Sequence, residues 1–539
     1  MEYLSTNVVD AESEREGWRP YLLMGLAVLA VGLAAWRPVP AGVWHDDGVY
    51  VMVGKALADG HGMTYQGVVG APPAVKFPPV YPSMLAGLWL VLGSIGAVTL
   101  VATLANLVFL ALAAIFLARA LRMGTGAPLW IALLAGGLAV TSGDVLRISS
   151  AALSEALFLA LAAGAFALWP GATGGERTGS YRAALAALLL VLIGTRAAGL
   201  AFVVGFGLAM ALGRAGPRAA ALVVGPALAT WLGWSAWAGR RAATIPVDMQ
   251  DLLGPYGGWM SEQFFSDPVG FVARFPAHAV GVFERMAILL LPRVDGLPLW
   301  LAAVPLLAVA TYGWLDARRR MPPLAWSTLA YLGLLLVWPY LDRRLVVPLH
   351  VFVVALLALG TGALVQGLRA RRAVLAVAVV MGSWAAFYSV VNAHRIAAEW
   401  PTAAYRIRAD RLAAGVEAMR RTVPSDAIVG APEFWAALHL HGGWTVAPSV
   451  LFDPATTDAE APVWGSPEAQ ERLWRSAGIE YLLLEQGGLL HGATLDRLEE
   501  DCPGMVRVLA RTPPMLIVRL VWDHAEDAPP CITSALPDP

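Results

Sequence analysis

The residues Trp44-His45-Asp46-Asp47-Gly48-Val49-Tyr50, continued by Asp59-Gly60-His61-Gly62 and by Lys76-Phe77-Pro78-Pro79-Val80-Tyr81-Pro82, follow directly on the first apolar run of the chain, at 18–38. Two adjacent carboxylates beside hydrocarbon are costly unless they are paired or face water, so a pair retained there points to use. A plainer role is open as well: Asp46 has the residue type and place of an N-cap for a helix over 47–58, which is compatible with chemistry. Of the 38 basic residues only Lys55 and Lys76 are lysines, and both lie in this loop.

Outward from that stretch the composition is that of a membrane protein. Of 539 residues 58% are hydrophobic and 14% charged, with mean hydropathy +0.62, whereas soluble domains carry about 25% charged residues. Apolar runs able to cross about 30 Å of hydrocarbon stand at 18–38, 96–120, 126–142, 151–169, 183–194, 197–213, 219–238, 296–315, 323–341, 345–366 and 373–391, predicting eleven helical crossings. Thr195-Arg196 separates two of them or interrupts one tilted helix. The first run follows an acidic start and reads as an uncleaved anchor. A net charge of −1 without a long basic run excludes neutralisation of nucleic-acid phosphates, and the apolar content excludes disorder.

Arginine placement orients the chain. If the eleven runs alternate, Arg119, Arg122, Arg177, Arg182, Arg214, Arg218, Arg318, Arg319, Arg320, Arg369, Arg371 and Arg372 share the side of the N-terminus, which the positive-inside rule makes cytoplasmic. The outer face then holds loops 39–82 and 239–295 and everything after 391. Nearly all acidic residues of 39–391 fall on that outer face, so any chemistry is expected there. The aromatic-rich loop 239–295 reads as amphipathic helices along the membrane surface.

Residues 392–539 change character. They carry 32 of the 77 charged groups and alternate helix with strand, predicting an extracytoplasmic α/β domain of about five strands after a transmembrane domain at 1–391. No phosphate-binding glycine motif follows any strand, which favours recognition or packing over catalysis for the tail. Gly360-x-Gly362 lies in an apolar helix and reads as close packing. Cys502 and Cys531 form one bridge at most.

The acidic pair after the first crossing, Tyr50 three residues beyond its second member, a glycine further on and Pro78-Pro79-x-x-Pro82 together resemble the GT-C glycosyltransferases, in particular the branch of protein O-mannosyltransferases and the aminoarabinose transferase of lipid A. Ser154-Glu155, Thr195-Arg196-x-x-Gly199 and Arg343-Arg344-x-x-x-Pro348 resemble that family's later motifs. The resemblance implies a polytopic α-helical membrane enzyme that takes a sugar from a polyprenyl-phosphate donor and transfers it, with inversion, to a glycan, lipid or protein acceptor hydroxyl on the outer face. It assigns an acidic base to Asp46 or Asp47. A cation is needed where the lipid phosphate leaves, and Lys76, Arg196, Arg343 and Arg344 are the candidates, with Tyr50, Glu155, His45 and His61 in support. The second acid of the family's pair is usually Glu, and here it is Asp47, which leaves the partition of roles open. No cofactor is required by this chemistry. A divalent metal on His45 and His61 with the two aspartates is the alternative use of those residues. The rival functions are a transporter or flippase of a lipid-linked anion, which needs ionisable groups at mid-membrane and related broken helices, and a catalytically silent assembly protein.

Overall fold

The computed structural model describes residues 17–174, 178–338, 340–368, 370–400, 403–453, 463–464, 466–485, 489–513 and 515–522. Each of the eleven apolar runs coincides with a helix: Arg19–Ala35, Ile95–Thr125, Leu129–Val140, Glu155–Thr173, Thr178–Thr195, Gly199–Ala211, Gly216–Ala242, Gly296–Arg320, Pro322–Val337, Arg343–Gly367 and Arg371–His394. Among the described residues seven helices are long and apolar enough to cross a membrane, or eight if Leu129–Val140 and Gly143–Ser149, bent by 58°, are one span. Eleven crossings therefore exceed the full-length spans. Hydropathy alone cannot see that Gly199–Ala211, 13 residues long, rises only about 20 Å.

Local chemistry sets the breaks between helices. Gly93 in the left-handed region ends Val80–Leu92, and the Ser94 hydroxyl accepts from Ala97 N to start the next helix. Ser142 caps Gly143–Ser149 through Val145 N, and Asp342 caps Arg343–Gly367 through Arg344 N. The helices Gly296–Arg320 and Arg343–Gly367 cross where Gly313 and Gly360 face each other: a Cβ at Gly313 would lie 1.9 Å from Leu356 O, and one at Gly360 2.0 Å from Val309 O. The close packing expected of Gly360 is thus real, while Gly362 meets nothing nearer than 4.0 Å.

After the π-helical turn Arg395–Glu399 the chain forms helix Ala404–Thr422 and a five-stranded sheet of order β2-β1-β5-β7-β6. The strands are β1 (Ile428–Ala431), β2 (Thr445–Pro448), β5 (Tyr481–Glu485), β6 (Val506–Thr512) and β7 (Met515–Leu520), with β3 (Phe452–Asp453) and β4 (Val463–Trp464) pairing as a separate ribbon. β1 runs parallel to β2 and β5, and the β5–β7–β6 part is antiparallel. Cys502 is disulfide-bonded; Cys531, the other cysteine of the sequence, lies outside the described residues.

This sheet is fastened to the loop 39–82. Val446 N donates to Gly67 O at 2.8 Å and Val69 N to Val446 O at 3.0 Å, so the loop extends the sheet beyond β2. Gly67, at φ 90°, allows the approach, because a Cβ there would sit 2.1 Å from His439 Nδ1. His441 Nε2 lies 3.0 Å from Ala41 O. His439 and His441 both sit in a π-helical turn, Leu438–Gly442.

Overpacking a glycine contact against backbone cannot be relieved by a side-chain rotation. Gly360→Ala is expected to lower the thermal midpoint in detergent by several degrees, while Gly362→Ala leaves it within error; equal effects from the two would contradict the packing described.

Candidate active site

Helix Asp46–Ala58 begins at an unusual turn. His45 has φ 63° and ψ −72°, and Asp46 N donates across it to Trp44 O at 2.8 Å, which makes a γ-turn of the strained, positive-φ kind. Strain of about 1–3 kcal/mol persists only where the surroundings hold it. Here they do: the Asp47 carboxylate accepts from Trp44 N (3.0 Å) and Gly48 N (2.9 Å), and His45 Nδ1 lies 3.1 Å from Glu433 O of the sheet region. A carbonyl only accepts, so Nδ1 carries the proton.

Asp46 is the first residue of this helix rather than its cap, and its carboxylate heads a buried chain of charges. Oδ2 pairs with Arg344; Arg344 Nε lies 3.0 Å from Glu155 Oε1; Arg196 Nη1 lies 2.9 Å from the same oxygen. The Glu155 contacts are ionic rather than aligned hydrogen bonds. Arg196 Nη1 also donates to Ser154 Oγ at 3.0 Å, and Ser154 Oγ lies 3.1 Å from Tyr50 OH. Arg196 reaches this point because the helices Thr178–Thr195 and Gly199–Ala211 break there, with Gly199 N closing a turn onto Arg196 O.

Beside this chain lies a cavity of about 750 Å³ lined by His45, Asp46, Tyr50, Lys76, Arg196 and Arg344 with many aromatic side chains, while Glu155 and Ser154 stand behind its wall. Lys76 Nζ donates to Leu252 O at 2.9 Å and sits 4.2 Å from the Trp259 ring centroid and 5.1 Å from that of Tyr256. It forms no ion pair among the described residues. The loop 239–295 therefore boxes the lysine with aromatic rings, a use that its aromatic content alone did not reveal.

Three expected residues stand elsewhere. Asp47 is fully buried behind the turn and does not border the cavity. Arg343 turns away to Asp144, which also holds Arg147 and Arg395, at 3.0 to 3.3 Å. His61 is exposed in the loop beyond the helix. Among the described residues no three His, Cys, Asp or Glu side chains converge as metal ligands. Arg408, Pro432, Glu433 and Val450 from the sheet region also border the cavity. Sequence offered no signal for them, since Arg408 looks like any polar residue on an amphipathic helix.

The path of the chain matches solved structures. ArnT from Cupriavidus metallidurans bound to undecaprenyl phosphate aligns at TM-score 0.55 and 14% identity over 92% of this chain and 97% of that one. Its apo form aligns at 0.52 and 13% over 92% and 96%. The fold is that of ArnT. No family model and no curated protein matches the sequence.

Within this ArnT-like frame the titrating groups divide. Burial is the largest influence on both aspartates and raises each, but the Arg344 guanidinium holds Asp46 below the ordinary carboxylate value. Asp47 is pushed up to about 7, because burial and the neighbouring Asp46 charge outweigh its backbone N–H partners. Burial pulls the Lys76 ammonium down to about 8, against the opposing pull of Asp46 and Asp251, and pulls His45 down to about 4. At neutral pH the cavity thus presents an ionised Asp46 opposite a largely charged Lys76, with His45 neutral.

His45→Asn keeps a side-chain N–H near the Glu433 carbonyl and a residue type that tolerates positive φ, whereas His45→Val loses both. We expect the Val variant to lose about 1–3 kcal/mol of stability and the Asn variant much less, measured as thermal midpoints in detergent; equal loss in both would remove the turn from this account.

Proposed function

We propose that this protein is a membrane glycosyltransferase that moves a sugar from a polyprenyl-phosphate donor to a hydroxyl group on the extracytoplasmic face. The observation that carries the reading is one cavity holding an ionised carboxylate from the loop after the first helix and a partly buried lysine that has no ion-pair partner among the described residues. A partly buried ammonium with one hydrogen-bond acceptor among the described residues is under-satisfied and stands ready for an anion. The ArnT structure that shares the fold holds undecaprenyl phosphate, a ligand of the chemistry Lys76 would receive.

In the reaction the acceptor oxygen bonds to the anomeric carbon from the face opposite the phosphate, its proton passes to Asp46, and the bond from the anomeric carbon to the phosphate oxygen breaks with its electron pair going to the lipid phosphate. Asp46 Oδ2 is engaged by Arg344, while Oδ1 has no hydrogen-bond donor among the described residues and is the atom assigned to take the proton. Lys76 meets the charge that develops on the leaving phosphate. Arg196 and Arg344 border the same space but are already neutralised by Glu155 and Asp46, so their part is to fix the geometry of the base and the cavity wall. Arg343 and His61 have no part in it. The arginine-rich loops of the opposite face and the disulfide at Cys502, a bond of oxidising compartments, support a cytoplasmic N-terminus and an outer tail beginning near residue 392.

Asp46→Asn is expected to lower turnover by roughly 10² to 10⁴ with undecaprenyl phosphate binding retained, and Lys76→Ala to weaken that binding as well; full turnover in Asp46→Asn would remove the base.

The pH profile separates the two aspartates. A base must be ionised and Asp46 is held low, so kcat/KM is expected to stay high as pH falls to below the usual carboxylate range. It should fall as pH rises through about 8, where Lys76 loses its proton. An acid limb near 7 would instead reassign the base to Asp47, which titrates there.

A further inference from the structure

The sheet region presents to the cavity the edge at which open parallel sheets hold ligands. β1 and β2 run parallel, and the residues that follow their carboxyl ends, Pro432 and Glu433 after β1 and Val450 after β2, border the same space as Asp46. The crevice outside the carboxyl ends of such strands is the general binding position of this architecture. Helix Ala404–Thr422 adds Arg408, which pairs with Glu433 and lies 5.2 Å from the centroid of the Phe434 ring. The two side chains are 38% and 44% exposed, and both line the cavity.

The chemistry of this edge selects among acceptors. An arginine beside a carboxylate offers donors and acceptors side by side, the arrangement that a hydroxyl group, itself donor and acceptor, satisfies fully. Glu433 already neutralises Arg408, so the pair is poorly suited to a phosphate. A peptide laid as an added strand is also disfavoured, because the outer edge of β2 is occupied by the backbone of Gly67 and Val69. Trp44, stacked on Tyr405 with ring centroids 5.8 Å apart, borders the same cavity.

We propose that the carboxyl edge of β1 and β2 is the acceptor subsite and that the acceptor is a glycan whose hydroxyl groups are held by Arg408 and Glu433. This rests on the glycosyltransferase reading above. It gives the tail a defined task, placing one sugar hydroxyl toward Asp46 while the donor occupies the side of Lys76. It also explains why His45, the residue before the base, bonds to the backbone of Glu433: base and acceptor residue are registered to each other directly.

The test compares the full-length wild type with Glu433→Gln, Arg408→Gln and Asp46→Asn, each returned to cells lacking the gene, with sugar added to envelope material quantified and located by mass spectrometry. Purified proteins are assayed in parallel for undecaprenyl phosphate binding. The expected result is product on a glycan hydroxyl, reduced roughly tenfold to a hundredfold in the Glu433 and Arg408 variants, with undecaprenyl phosphate binding unchanged. Product on a peptide or on a phosphate group overturns the proposal, and this arm uses the wild type, so misfolding of a variant does not affect it. Product unchanged in both tail variants but lost in Asp46→Asn overturns the subsite alone. Product unchanged in Asp46→Asn as well means that the transfer reading itself has failed.

Discussion

Four charged side chains from four separate segments, Asp46, Arg344, Glu155 and Arg196, form one largely buried chain at one end of the helices. A lone charge there would carry a desolvation penalty of several kcal/mol, and removing one partner of such a chain costs about 3–5 kcal/mol because the others are left uncompensated. The segments are therefore bound to one mutual arrangement. The loop bearing Asp46, the helix starting at Glu155, the break at Arg196 and the helix starting at Arg343 cannot shift independently, and the cavity between them inherits its shape from that constraint. A carboxylate used as a base needs a fixed neighbourhood, and this chain supplies it.

A second hub has the same logic without the cavity. Asp144 joins Arg147, Arg343 and Arg395, and so ties the bent segment Gly143–Ser149 to the start of one helix and the end of another. Consecutive residues on a helix point about 100° apart, so Arg343 and Arg344 cannot serve one site: the first goes to Asp144 and the second to Asp46. Asp46 and Asp47 divide for the same reason. One faces the cavity and the other holds the turn that places it.

That rule marks the limit of what could be read from the sequence. The apolar runs, the five strands and the acid-bearing loop were legible because burial and periodicity leave direct marks on composition. Adjacent pairs named the right places but not the right member, since a motif gives position along the chain and says nothing about which way a side chain points. The aromatic box around Lys76 and the tail residues Arg408 and Glu433 arise from segments hundreds of positions apart, and no local pattern announces them. The short and bent helices, too, satisfy a hydropathy window while lacking the length of a full span.

The central claim is that the cavity is divided between a phosphate held at Lys76 and an acceptor approaching Asp46. An experimental structure of the full-length protein with undecaprenyl phosphate bound tests it most directly. The account predicts a phosphate oxygen within about 3 Å of Lys76 Nζ, with Asp46 free of the phosphate and open to the sheet edge. Phosphate seated instead at the Asp144 arginine hub, or in direct contact with Arg408, would contradict it.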